Sequence, residues 1–178
     1  FSYETTYIDE TLGGIALLRL ADFDVDGRVD IATIRVDTEQ LVVYFNEGNG
    51  TFTKSVIDTD AESNMCIATG DFNNIGRPDI MLMGLNTIHI YINVNNRRFS
   101  KFKMFDVNST DFMSTDYRDM KCAFSDMDGN GLMDMVVAAG YNDGVDYYSQ
   151  TVPNVFSGPA RRFAAANSTS DFALHDMN

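Results

Sequence analysis

The chain has 178 residues, of which 44% are hydrophobic and 22% charged, a balance that suits one folded domain with a real core and argues against disorder. Its 26 acidic against 13 basic residues leave a formal charge of −13, which argues against nucleic acid or an anionic membrane as partner, since both would repel it. No apolar run is long enough to span a bilayer, and no basic segment followed by an apolar one marks a signal peptide.

In chain order, Phe1-Ser-Tyr-Glu-Thr-Thr-Tyr-Ile8 reads as an outer strand, over residues 1–9, of a unit that precedes the chain. An acidic loop follows an apolar run, Asp22-Phe-Asp24-Val-Asp26-Gly27-Arg-Val-Asp30, and then come the strand Gln40-Leu-Val-Val-Tyr-Phe45, the turn Asn46-Glu-Gly-Asn-Gly50 and a strand opened by Phe52. The same order recurs: Met65-Cys-Ile-Ala-Thr69, the loop Asp71-Phe-Asn73-Asn-Ile75-Gly76-Arg-Pro-Asp79, Ile80-Met-Leu-Met83, Ile88-His-Ile-Tyr-Ile92 and a strand opening at Phe99. A third pass carries Asp126-Met-Asp128-Gly-Asn130-Gly131-Leu-Met-Asp134, the strand after it and Phe163, with an insertion around 106–119. The last residues, Asp176-Met177-Asn178, open a fourth loop. The first aspartates of the loops are spaced by 49, 55 and 50 residues, a period that signals a repeat architecture.

The apolar runs are four to eight residues long, rich in Val, Ile, Phe and Tyr, and bounded by turn residues, so they read as strands. Several are apolar at successive rather than alternating positions, which implies sheets covered on both faces. Four-stranded units that repeat and cover one another make a β-propeller. The expectation is therefore one all-β domain over 1–178. It is an incomplete propeller with about three whole blades at 13–58, 63–105 and 119–168, flanked by parts of blades at 1–9 and 172–178. Three blades do not close a ring, and the chain starts with Phe and ends inside a motif, so it reads as a piece of a longer or processed protein.

The loops place oxygen side chains at positions 1, 3, 5 and 9 with glycine at 6, a pattern that suits a hard cation. In the first loop the candidate ligands are Asp22, Asp24, Asp26, the main-chain carbonyl of Arg28, and Asp30. In the third they are Asp126, Asp128, Asn130, the carbonyl of Leu132, and Asp134. The second loop has Ile75 at position 5, and two readings stay open for Asp71, Asn73 and Asp79: a cation site completed by water, or a turn that keeps its shape without an ion. Calcium fits better than magnesium, which demands compact octahedral geometry. An EF-hand would need flanking helices and Glu at position 12, where Thr33 and Val137 stand.

An inner strand ending in a small residue, the Asp-Phe-Asp-x-Asp-Gly-x-x-Asp loop, an apolar strand and a turn of the Tyr44-Phe-Asn-Glu-Gly-Asn-Gly-Thr-Phe52 kind resemble the FG-GAP/VCBS repeats of integrin-alpha-like propellers. The resemblance implies a propeller, usually of seven blades, with calcium in loops between first and second strands. It also implies an extracellular or cell-surface protein acting in adhesion or protein recognition. Related propellers occur in carbohydrate-active enzymes, and a lectin-like sugar-binding propeller is the other alternative.

Other residues add less. Three Asn-x-Ser/Thr triplets, at Asn49, Asn108 and Asn167, are glycosylation candidates, although chance alone gives roughly two at this length. Cys66 and Cys122 lie on inner strands of adjacent units, where two buried free thiols are the ordinary reading and a disulfide the alternative. Arg97-Arg98 and Arg161-Arg162 read as solvated turns, with contact to an acidic partner the alternative, and the methionines as core filling. Neither His89 nor His175 has companions for a zinc site or a triad, and no catalytic constellation is visible, so the chain reads as non-enzymatic.

Overall fold

The computed structural model describes residues 7–9, 14–61, 64–84, 87–106, 121–138, 145–153, 155–157 and 161–163. The expected strand segment at 1–6, the loop opening at 172–178, His175, and the glycan candidates Asn108 and Asn167 lie outside them. Every described element is a β-strand, and every pairing is antiparallel. No helix among the described residues is long and apolar enough to cross a membrane.

Three four-stranded sheets follow one another along the chain. The first runs β1 (Ile15–Ala21), β2 (Asp30–Arg35), β3 (Gln40–Gly48) and β4 (Thr51–Asp58), each strand paired with its neighbour in sequence. The second repeats the order with β5 (Asn64–Gly70), β6 (Asp79–Gly84), β7 (Thr87–Asn95) and β8 (Arg98–Asp106). The third has β9 (Lys121–Ser125), β10 (Asp134–Ala138), β11 (Val145–Tyr148) and β14 (Arg161–Phe163). A separate hairpin of β12 (Gln150–Val152) and β13 (Val155–Phe156), which the apolar pattern does not announce, sits between its last two strands.

The unbroken apolar runs explain the stacking. Leu41 to Phe45 in β3 are buried at five successive positions and β6 is buried throughout, so these strands are covered on both faces. One core lies between the first and second sheets, around Ile34, Leu41, Val43, Phe45, Ile67, Ile80 and Leu82. Another lies between the second and third, around Ala68, Met81, Met83, Ile88, Ile90, Met135 and Val137. Inner strand β5 lies beside both β1 and β9. The second residue of each of the first two loops reaches into the next sheet: the Phe23 ring meets Phe99 edge-on at 5.9 Å, and Phe72 meets Phe124 at 4.0 Å.

Cys66 on β5 and Cys122 on β9 form a disulfide, which corrects the reading of two free thiols. Their positions on adjacent inner strands bring the two Cα atoms to 6.0 Å, within bridging range. The expected solvated turn at Arg97 is also corrected, because that side chain pairs with Asp24 and Glu47 across the first and second sheets.

Candidate functional site

Each acidic loop joins the first strand of a sheet to its second and is folded by its own first and last aspartates. The position-1 carboxylate accepts the amides of positions 5 and 6. Asp22 takes Asp26 and Gly27 at 3.0 and 2.8 Å, Asp71 takes Ile75 and Gly76 at 3.0 and 2.7 Å, and Asp126 takes Asn130 and Gly131 at 3.1 and 2.8 Å. The turn needs a left-handed residue at position 6, where Gly27 has φ 86° and Gly131 φ 83°.

The position-9 aspartates are fully buried and satisfied by main chain on both oxygens. Asp30 accepts Phe23 N and Asn46 N at 2.9 and 2.8 Å, Asp79 accepts Phe72 N and Asn93 N at 3.0 and 2.6 Å, and Asp134 accepts Met127 N and Gln150 N at 2.8 and 2.7 Å. They staple the loop to the third strand of the sheet, or to β12 in the third unit. Burial pushes the Asp30 carboxyl above its ordinary range and that of Asp79 up to about 6, against the lowering effect of the amide donors. Side-chain amides from the next unit close the first two loops from outside: Asn93 Nδ2 on β7 donates to Phe23 O at 2.6 Å, and Gln150 Nε2 on β12 to Phe72 O at 2.7 Å.

On this frame, two groups of three carboxylates converge among the described residues. Asp22, Asp24 and Asp30 each offer an oxygen within 4.8 Å of the others, and so do Asp126, Asp128 and Asp134. Oxygens that share one calcium at about 2.4 Å lie no more than about 5 Å apart, so both groups have the spacing of a shared ion. The donor set is all oxygen, which suits a hard cation. In the first loop Asp24 Oδ1 is buried with no hydrogen-bond partner, an acceptor left open inside the cluster's own loop.

The remaining predicted ligands are placed differently. Asp26 stands outside the triad, accepting Arg28 N at 2.8 Å and pairing with the Arg28 guanidinium, which also donates to Asn46 O. Asn130 Oδ1 accepts Leu132 N at 2.8 Å while its Nδ2 donates to Gln150 O at 2.9 Å, and Asp128 accepts the Ser149 hydroxyl at 3.0 Å. In the second loop Asp71 and Asp79 are held as above, Asn73 Oδ1 is buried without a partner, and Ile75 is exposed. The first and last aspartates explain how this loop keeps its shape despite the isoleucine. Asn49 is exposed in the β3–β4 turn, at φ 54°.

Arg97 and Ser149 are residues near the sites that sequence reasoning missed, Ser149 on Asp128 and Arg97 on Asp24. Arg97 Nε donates to Asp24 Oδ2 at 2.8 Å, its NH2 lies 2.7 Å from the same oxygen, and its NH1 pairs with Glu47.

A family model described as an FG-GAP-like repeat matches residues 22–82 and, in a second copy, 71–137. No curated protein matches the chain. Among solved structures, the chain is similar to a lectin of Agrocybe aegerita described by its specific recognition of non-reducing terminal N-acetylglucosamine. The two share 19% identity with a TM-score of 0.57, over 79% of this chain and 37% of the lectin. The likeness at that identity is one of fold, and the chain spans little more than a third of the lectin's length.

Proposed function

Because the chain belongs to the FG-GAP-like repeat family, we propose that it is part of a calcium-stabilised β-propeller that serves recognition of a protein outside the cell, at a cell surface or in adhesion. The observation that carries the calcium reading is the pair of carboxylate triads, Asp22/Asp24/Asp30 and Asp126/Asp128/Asp134, with an unpartnered Asp24 oxygen in the first. Calcium bound there supplies positive charge at a strand-to-strand loop and relieves the mutual repulsion of three carboxylates. The chain's own part is to fix the loop beforehand: positions 1 and 9 hold the main chain, so the ligands are gathered before an ion arrives.

Three successive sheets, each covering the next, support the blade reading. A disulfide between adjacent blades favours an oxidising compartment, in keeping with a secreted or surface location. The segment is read as non-catalytic, with the loop carboxylates spent on amides and, as proposed, on the ion.

Melting with and without a chelator tests the calcium reading. Saturating calcium at about a hundred times its dissociation constant stabilises by about 2.7 kcal/mol per site, so EDTA lowers the midpoint by several degrees. An unchanged midpoint overturns the reading. The fold likeness to a lectin favours a second reading, recognition of a glycan, and binding on a glycan array in the presence of calcium separates that from protein recognition.

A further inference from the structure

The β3–β4 and β7–β8 turns have the same backbone and different residues. Gly48, Asn49 and Gly50 have φ of 83°, 54° and 77°, and the equivalent Asn95, Asn96 and Arg97 have 87°, 53° and 60°. Arginine thus stands at a left-handed position that glycine fills one repeat earlier, at a cost of roughly 1–2 kcal/mol. The strained backbone aims its side chain out of its own sheet, over the Phe45 ring at 4.6 Å and onto Asp24 of the first loop. Both Arg97 contacts with Asp24 fall on Oδ2, and Oδ1 is the oxygen that is buried and unpartnered.

We propose that Arg97 is a positioning residue for the cation site of the first loop: by holding Asp24 through one oxygen it presents the other to the ion, and it ties that site to the packing of the second sheet on the first. The inference rests on the calcium reading above. Glu47 offsets the guanidinium charge, so Arg97 orients the ligand without setting a bare positive charge against the cation. The third loop is built otherwise, with Asp128 held by Ser149 of its own unit. Among the described residues the two sites therefore differ in what supports them, and only the first is held from a neighbouring sheet.

Calorimetric titration of calcium into the full chain tests this, comparing wild type with Arg97→Gly, Arg97→Lys and Asp24→Asn. Arg97→Gly restores the residue the turn carries in the first sheet and relieves its backbone. It nevertheless weakens one of two sites by 10-fold or more, the usual consequence of removing a ligand's hydrogen-bond support, and leaves the other unchanged. Asp24→Asn, which removes a charged ligand, abolishes uptake at the same site. Arg97→Lys, which keeps the charge but not the planar fork, gives an intermediate loss and decides the matter if the glycine variant does not fold. Unchanged or tighter calcium binding in Arg97→Gly, or in a folded Arg97→Lys where the glycine variant fails, overturns the proposal while leaving the calcium reading intact. A wild-type chain that takes up no calcium overturns both.

Discussion

Asp58 accepts a hydrogen bond from the Tyr91 hydroxyl at 2.6 Å, joining the end of β4 in the first sheet to β7 in the second. Lys101, paired with Tyr91 across β7 and β8, reaches the same carboxylate at 2.7 Å. Forty-nine residues earlier, Asp9 makes the same two contacts with Tyr44 and Lys54, each at 2.7 Å. The clasp therefore recurs from one sheet to the next, its aspartate at the 49-residue spacing of the first two loops, and Asp9 stands to the first sheet as Asp58 stands to the second. Burial, with Asp9 beside it, pushes the Tyr44 phenol up to about 12, so the hydroxyl stays a donor at any ordinary pH.

Removing the shared acceptor costs more than removing the lysine. Asp58→Ala removes the carboxylate that the hydroxyl of buried Tyr91 and the Lys101 ammonium share, and destabilises by about 2 kcal/mol. Lys101→Met removes only the more exposed arm and costs under about 1 kcal/mol. Urea unfolding of the two variants checks the order, and a reversed order would mean that the ion pair, not the tyrosine, holds the sheets.

The disulfide closes a loop of 56 residues between adjacent sheets, for which chain entropy gives about 4 kcal/mol of stabilisation. Replacing both cysteines by serine lowers the unfolding free energy by an amount of that order. A loss below about 1 kcal/mol would show that packing of the inner strands suffices without the bridge.

Asp79 makes stability fall as pH rises. Its folded carboxyl titrates at about 6 against an unfolded value of 3.8, so the native state holds this proton more tightly than the unfolded chain. Its contribution is complete below about pH 4 and is lost as pH rises through 6, by about 3 kcal/mol in all. Carbon-detected NMR titration of this carboxyl in EDTA reads the midpoint directly. A midpoint at or below 4 would mean that the amides of Phe72 and Asn93 outweigh burial.

Much of this was legible in the residues alone. Unbroken runs such as Leu41 to Phe45 announce strands covered on both faces, and the spaced loops announce repetition of the unit. The aspartates at position 9 were legible only as ligands, because residue type and spacing do not reveal that Asp30, Asp79 and Asp134 each accept two buried amides. Their place on inner strands of adjacent units left a bridge between Cys66 and Cys122 open, but residue spacing could not supply the distance between two sheets. Arg97 looked like half of a solvated Arg-Arg pair. The signal for its role was the alignment of Asn95-Asn96-Arg97 with Gly48-Asn49-Gly50, which exposes an arginine where a turn asks for glycine.

Whether the two carboxylate triads hold calcium is read straight from the stoichiometry of calcium binding by calorimetry. Two ions per chain are expected, reduced to one by Asp24→Asn and to one by Asp128→Asn, and to none in the double variant. No calcium uptake by the wild-type chain, or uptake that survives both substitutions, would contradict the calcium reading.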